Sequence, residues 1–365
     1  MFHNKWKKKE GIMQINTFQA IRFNSDYWNS QKCFPTQGTE SKVKFAENVL
    51  HHIDRQIANG SARIDRNPGI YILRITSNSK RITSVIGEID YNEKSVLFMN
   101  EGIHKQKLES YKSMFQKFKI QANPVLTFYK NGQSIETIVS EILLLPPTTI
   151  ANIDGMLYEL WQITDPIETG KIKYNLKAIE RLYIADGHHR FSLFTSIPRK
   201  NSARLIISIT DSNSILLKSC HRIIFGSISH TWKEKISQFG ALEKINSFKN
   251  TSGKVVISFP NNDNYAIDFR ESATKSIFEI VKKDVIGFSL GVTNYEENVF
   301  PLPGNIGPQE ASKIFSLYKS GAVAIFIPSM SIAEFLDVID NGHKLPATST
   351  WFEPKIIDGF IVRKF

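Results

Sequence analysis

Leu182-Tyr183-Ile184-Ala185-Asp186-Gly187-His188-His189-Arg190-Phe191 reads as a strand, a sharp turn and the opening of a helix. The apolar run 182–185 has the length of a buried strand. Gly187 lets the backbone turn tightly and approach a ligand without a Cβ in the way. Phe191-Ser192-Leu193-Phe194 continues as helix. A helix N-terminus carries unpaired N–H groups and the positive end of the dipole, and both attract phosphate. Arg190 is expected to add a bidentate phosphate donor, and Ser192 a hydroxyl in the first turn. Gly187, His188, His189, Arg190 and Ser192 are therefore the candidate phosphate-binding residues. Asp186 beside them needs a cation, a substrate amine or a metal such as magnesium. A plain helix cap with a glycine turn explains Asp-Gly but not His-His-Arg in the same turn. Neighbouring helix positions point about 100° apart, so His188 and His189 are not expected to ligate one metal together. His189 is expected to face the ligand while its neighbour packs inward.

Outward from this segment the chain alternates strands and helices, which predicts an α/β or mixed α+β fold. Ile70 to Ile75 and Arg81 to Ile89 read as strands paired around Ser77-Asn78-Ser79-Lys80. Phe45 to Ala58 and Lys105 to Gln121 have helical spacing. Val125 to Tyr129, Met156 to Thr164, Leu205 to Thr210 and Ala322 to Pro328 read as strands. Asp165-Pro166 starts a helix, with Asp as N-cap and Pro at the first helical position. Ser331 to Ile339 is helical, with Ile332, Phe335, Leu336 and Ile339 on one face. The expected divisions are a basic leader at 1–13, α/β regions at 14–150 and 231–365, and a core at 151–230 containing the turn. No Pro/Gly-rich linker marks these boundaries.

Forty-one per cent hydrophobic residues in 365 support real cores and exclude a disordered chain. The net charge of +11 fits phosphorylated ligands or solubility as well as nucleic acid, because it is spread along the chain. Its sharpest cluster, Lys5, Lys7, Lys8 and Lys9, reads as a mobile leader, with a nucleic-acid arm as the alternative. Cys33 and Cys220 are too far apart for a CxxC site, and two cysteines make no disulfide framework. No apolar run approaches the roughly 20 residues of a membrane span, so a soluble cytoplasmic protein is expected. GxxxxGK(S/T), GxGxxG after a strand, HExxH and GxSxG are all absent, which disfavours the common NTPase, dehydrogenase, metalloprotease and hydrolase classes. His51-His52 reads as a surface or boundary pair on a helix.

"LYIADGHHR" at 182–190 resembles the signature of a widespread bacterial and archaeal family described as a domain of unknown function, number ten-fifteen, also called SerK-like. "INTFQAIRF" from Ile15, "LWQITDP" from Leu160, "CHRIIF" from Cys220 and "LPATSTWFEPKIIDGFIVR" from Leu345 resemble further family segments in the same order. The turn is also similar to that of the ParB/sulfiredoxin-like superfamily, whose members include CTP- or ATP-using proteins and free-serine kinases. The resemblance implies that Gly187, His188, His189, Arg190 and Ser192 hold the phosphates of ATP or ADP with magnesium. It implies that Asp186 is required, and that an upstream carboxylate, Asp165 or Glu168, acts on a substrate hydroxyl. Asp165 and Glu168 also read simply as a cap and a first-turn acid. His221 and Arg222 are candidates for a second anion contact or a salt bridge. Ser349 and Thr350, with Thr348 and Lys355, are candidates for a polar loop at the pocket. The chain departs from the family where Cys33-Phe34-Pro35-Thr36 replaces a PPYDV-like stretch, where Phe191-Ser192 replaces Tyr-Glu, and where Thr348-Ser349-Thr350 replaces Lys-Ser-Thr.

The expected activity is phosphoryl transfer from a nucleotide to a small hydroxylated metabolite such as a serine-like amino acid. The alternatives are a nucleotide-binding or ParB-like regulator that touches DNA, and a degenerate interaction module.

Overall fold

The strand that ends at Asp186 lies one place in from the edge of an eight-stranded mixed sheet. The computed structural model describes residues 13–30, 53–77, 80–90, 96–103, 105–196, 204–269, 276–310, 313–315 and 322–365. The chain divides into two units. The first comprises Met1–Met99, Ile103–Leu216 and Pro354–Phe365, and the second Asn100–Gly102 and Leu217–Glu353. The basic leader, His51-His52 and Cys33 lie outside the described residues, as does most of the expected Phe45–Ala58 helix, of which 53–58 is helical.

In the first unit the strands are β1 (Ile21–Phe23), β2 (Ala62–Ile64), β3 (Ile70–Thr76), β4 (Arg81–Asp90), β5 (Leu97–Phe98), β6 (Ile120–Gln121), β7 (Val125–Tyr129), β8 (Thr149–Ile153), β9 (Met156–Ile163), β10 (Leu182–Asp186) and β11 (Arg204–Asp211). The helices are α1 (Ser25–Ser30), α2 (Lys105–Phe118), α3 (Ile135–Ile138), α4 (Pro166–Leu176) and α5 (His188–Ser196). The expected helix 105–121 stops at Phe118, because Ile120–Gln121 turns away to pair with Arg363–Lys364. The main sheet runs β5-β10-β7-β11-β4-β3-β9-β8. Strands β5 and β10 are parallel, as are β7 and β11, and the other neighbours are antiparallel.

Central strands such as β7 are buried at every position, so the sheet is covered on both faces. Edge strand β8 instead alternates buried and exposed residues, the pattern of a strand wet on one side. One face carries Ile72, Val85, Val125, Ile184 and Ile207 against Ile172 and Leu176 of α4 and Phe191 and Phe194 of α5. Elsewhere in the unit aromatic rings meet: Phe128 with Tyr183, Tyr158 with Phe360, and Trp28 with Phe360, at 5.5, 5.0 and 5.6 Å between centroids. The C-terminal residues from Pro354 belong to this unit.

The second unit contains a six-stranded antiparallel sheet. Its strands, in spatial order, are β14 (Gly240–Ile245), β16 (Asn264–Phe269), β15 (Val255–Ser258), β18 (Val323–Phe326), β13 (His221–Ile224) and β17 (Val299–Leu302). Strand β12 (Leu216–Ser219) pairs with β19 (Thr350–Glu353) in a separate ribbon. Helix α6 (Ile332–Asp340) has a full capping box between Ser331 and Glu334 and buries Phe335, Leu336 and Ile339, as its spacing predicts. The boundary expected at 150/151 falls inside β8, because strands on both sides of it pair in one sheet. The boundary expected at 230/231 lies within the second unit, whose limit is Leu216/Leu217.

Candidate functional site

Asp186 closes β10, Gly187 makes the turn at φ +101°, and α5 begins at His188. A Cβ on Gly187 would stand 2.9–3.1 Å from the Arg190 guanidinium, so the residue is required for both its conformation and its size. Arg190 is the hub of the turn. Its Nη1 donates to the carbonyls of Asn123 and Pro124 at 2.7 and 2.9 Å, and its Nη2 donates to Asp186 Oδ2 at 2.7 Å. This ties α5 to the residues that lead into β7. Lys355 Nζ donates to Asp186 Oδ1 at 3.0 Å. Both carboxylate oxygens of Asp186 therefore face a cation, and the Asp186 side chain is 31% exposed.

The closing segment that carries Lys355 is fastened along its length. Tyr158 donates its hydroxyl to the Lys355 carbonyl at 3.3 Å. Asn123 donates from Nδ2 to the Ile356 carbonyl at 3.0 Å and to Asp358 Oδ1 at 2.6 Å. The Gly359 N–H donates to the Ala122 carbonyl at 2.7 Å. Tyr111 of α2 stacks on His189, with centroids 6.1 Å apart and planes 16° from parallel. Burial pushes the Tyr111 phenol up, the Arg190 charge opposes this, and Asp358 and Asp186 add to it. Tyr111 is thus electrically coupled to three charged residues of one cluster.

The structure places Asp186, Gly187, His189 and Arg190 in one turn and sets Lys355, a candidate for the polar loop, on Asp186, while the other candidates lie apart from them. His188 and Ser192 are buried, and the Ser192 hydroxyl contacts Met99 Sδ at 3.7 Å, so neither faces the turn's open side. Arg190 serves the turn itself, since three protein oxygens already hold it. Asp165 caps α4 by accepting from the N–H groups of Ile167 and Glu168, both at 2.9 Å. Glu168 accepts from Lys171 at 2.7 Å. Strand β9, which leads into them, lies five strand spacings from β10, roughly 24 Å along the sheet. The expected pairing of Asp165 or Glu168 with Asp186 is therefore not met.

In the second unit, His221 Nδ1 accepts from the Ile327 N–H at 3.0 Å. Arg222 donates to the Tyr295 hydroxyl and to the carbonyls of Cys220 and His221. These acceptors are all neutral, so of the two alternatives for His221-Arg222 the salt bridge is not formed among the described residues. Glu101 accepts from the N–H groups of Thr348 and Thr350 at 2.9 and 2.6 Å and from the Thr350 hydroxyl. The Ser349 hydroxyl turns inward to the Pro346 carbonyl at 2.7 Å, and Ser349 is fully buried. These contacts make the segment 348–350 a tightly held turn.

Magnesium does not fit the residues as they stand. Asp186 already meets two cations, and no group of three or more His, Cys, Asp or Glu among the described residues is arranged to hold a metal. A polar depression of about 540 Å³ lies at the opposite end of the sheet, lined by residues including Lys80, Arg81, Glu136 and Asp211. Its carboxylates are engaged locally: Glu136 accepts from Thr83, and Asp211 from the N–H groups of Asn213 and Ser214.

Tyr111, Asn123 and Asp358 escaped the sequence reading. Asn123-Pro124 ahead of a strand and Asp358-Gly359 after Lys355 were visible as turn dipeptides, but nothing in sequence joins them to residue 186.

Fold and geometry together define an α/β protein with a strand–turn–helix segment in which Arg190 and Lys355 meet Asp186. The chain belongs to the family described as "Protein of unknown function (DUF1015)", which matches residues 32–291. It has no significant match among curated proteins. Among solved structures it is similar to SbnI with C-terminal truncation from Staphylococcus aureus, at 12% identity and a TM-score of 0.43, over 75% of this chain and 85% of that chain. It is similar to a free serine kinase variant in complex with ADP at 12% identity and a TM-score of 0.42, over 75% and 91%. A conserved hypothetical protein from Pyrococcus furiosus gives 12% and 0.43, over 75% and 93%. At these identities and scores the likeness carries no argument about activity. No helix among the described residues is long and apolar enough to cross a membrane.

Proposed function

We propose that the Asp186–Arg190 turn is a ParB/sulfiredoxin-like site for the phosphates of ATP or ADP, and that the protein is a nucleotide-dependent kinase of a small hydroxylated metabolite such as a serine-like amino acid. The observation that carries this reading is the pair of cations, Arg190 and Lys355, gathered on Asp186 where the nine-residue helix α5 begins. Cations beside a helix N-terminus favour a phosphate. In the transfer, the metabolite's hydroxyl oxygen bonds to the terminal phosphorus, the bond to the leaving phosphate breaks, and the hydroxyl proton passes to a base. Asp358, which Asn123 holds by Oδ1 at 2.6 Å, is the carboxylate we assign to take that proton.

A second reading, nucleotide binding without transfer, is favoured by the distance of Asp165 and Glu168 from the turn. One experiment separates the two. The chain is incubated with radiolabelled ATP or ADP and a panel of hydroxylated amino acids, beside a thermal-shift screen with the same compounds. A kinase gives a labelled product that Asp186→Asn abolishes without loss of fold. A nucleotide-induced shift with no product supports the binding reading. No shift and no product sink both.

A further inference from the structure

Two arginines among the described residues are buried, and only one has a counter-charge. Arg22 meets both oxygens of Asp65. Arg222, on a strand paired along both sides, is 4% exposed and meets no carboxylate among the described residues. A guanidinium has five N–H donors and no acceptor. Nε of Arg222 donates to the Tyr295 hydroxyl at 3.0 Å, and Nη1 to the carbonyls of Cys220 and His221 at 3.1 and 3.0 Å. Nη2 donates to nothing among the described residues. Burying a charge without an opposite partner is costly, and neutral acceptors reduce that cost without cancelling the charge. The charge is felt next door, where after burial Arg222 is the largest cause holding the His221 imidazole down.

Tyr295 and Lys282 extend the set of donors. The Tyr295 oxygen accepts from Arg222, and its own hydrogen has no acceptor among the described residues. Lys282, on the π-helix Val281–Ser289, rests its ammonium 4.8 Å from the centre of the Tyr295 ring. It too pairs with no carboxylate among the described residues. Glu296 and Glu297 beside Tyr295 are exposed and engage neither cation. Tyr295 is half-buried and Lys282 exposed, so the cluster opens to solvent on that side.

We propose that Arg222 and Tyr295, with Lys282 at the rim, form a binding site in the second unit for a small oxyanion, the carboxylate or phosphate group of a metabolite. An oxygen of the ligand accepts from Nη2 of Arg222 and from the Tyr295 hydroxyl, and its charge neutralises the guanidinium. The site uses neither a helix N-terminus nor a metal, and it stands whether or not the Asp186–Arg190 turn takes a nucleotide.

The test is thermal unfolding of the full chain against sodium acetate and, separately, sodium phosphate, each exchanged for chloride at constant sodium concentration. Wild type is expected to show a saturable rise in melting temperature with at least one of them. Such salts also stabilise proteins generally, so the binding signal is the difference from Arg222→Met, in which the saturable part should vanish. Tyr295→Phe keeps the ring under Lys282 and loses one hydrogen bond to a charged group, and should weaken binding about 10-fold. Lys282→Met removes an exposed charge and should weaken it by about 2- to 5-fold. Lys244→Met, which removes an exposed lysine of the same unit, should respond as wild type does. A response to acetate alone assigns a carboxylate, to phosphate alone a phosphate group, and to both a general oxyanion site. No saturable rise with either probe overturns the inference, as does a rise undiminished in Arg222→Met, which then comes from elsewhere in the chain. If Arg222→Met is unfolded, Tyr295→Phe and Lys282→Met carry the test. Weakened binding in these variants, at an unchanged melting temperature in chloride, counts for the site, and wild-type affinity in both overturns it.

Discussion

Gly187 is where one atom decides the geometry of the turn. At φ +101° an L side chain is strained, and the added Cβ would press on the guanidinium that holds Asp186. Gly187→Ala should cost about 1–2 kcal/mol from the backbone alone. It should also push Arg190 off Asp186, so ADP affinity should fall with stability. Urea unfolding and ADP titration of the variant check this, and unchanged affinity would show that Arg190 does not organise the site. The need for glycine here was legible in the sequence, because a strand followed by Asp-Gly and a helix leaves few other conformations. The role of Arg190 was not legible. Its acceptors lie at 123 and 124, and the cation beside Asp186 comes from residue 355. Side-chain partners so far apart in sequence leave no local pattern. Local pattern did foresee that one histidine would turn inward, since adjacent helix positions cannot share a face, and His188 is the buried one.

At the level of elements, hydrophobic runs and caps predicted most strands and helices near the site, but not their order in space. The helix start at Asp165-Pro166 was legible because capping is local chemistry. That β9 would stand five places from β10 was not, because sheet order depends on pairings between distant segments. This separates the cap from the chemistry and gives a direct check. Asp165→Ala should cost about 1 kcal/mol as a lost N-cap and leave ADP affinity unchanged; reduced affinity at full stability would return Asp165 to the site. A second element-scale prediction concerns the buried pair that joins β1 to β2 and the main sheet. Arg22 and Asp65 are 2% and 4% exposed, and Arg22 Nε reaches both Asp65 oxygens at 3.0 and 2.8 Å. Tyr71 donates its hydroxyl to Asp65 at 2.7 Å, and Thr148, Thr149 and Gln162 accept from Arg22. Asp65→Ala leaves a buried guanidinium uncompensated and should cost about 3–5 kcal/mol, measured by urea unfolding. A loss below about 1 kcal/mol would show that water reaches Arg22.

Over the whole molecule, the chain lends Asn100–Gly102 to the second unit, leaves the first again at Leu216 to build the rest of the second, and returns at Pro354. No composition shift marks these crossings, so the sequence placed the limits elsewhere; a chain that leaves and re-enters a unit needs no flexible linker. Each unit has its own buried cluster, so each is expected to respond to pH through its own groups. In the second unit His221 is 7% exposed and its imidazole is pushed down to about 4. Burial is the main cause, with the charges of Arg222 and Lys218 adding to it and a backbone hydrogen bond at Ile306 opposing. The unfolded histidine titrates near 6.5. Between those two values the unfolded chain binds a proton that the folded unit does not. The neutral histidine's contribution is therefore complete above about pH 6.5 and is lost as pH falls toward 4, a total of roughly 3 kcal/mol. His221→Asn removes the titration and keeps an acceptor for the Ile327 N–H. Hydrogen exchange in 221–224 and 323–327 should accelerate between pH 7 and pH 4.5 in wild type, after correction for the intrinsic rate, and clearly less in the variant. Equal acceleration in both would mean that another group drives the acid loss and that His221 is solvated in the folded unit.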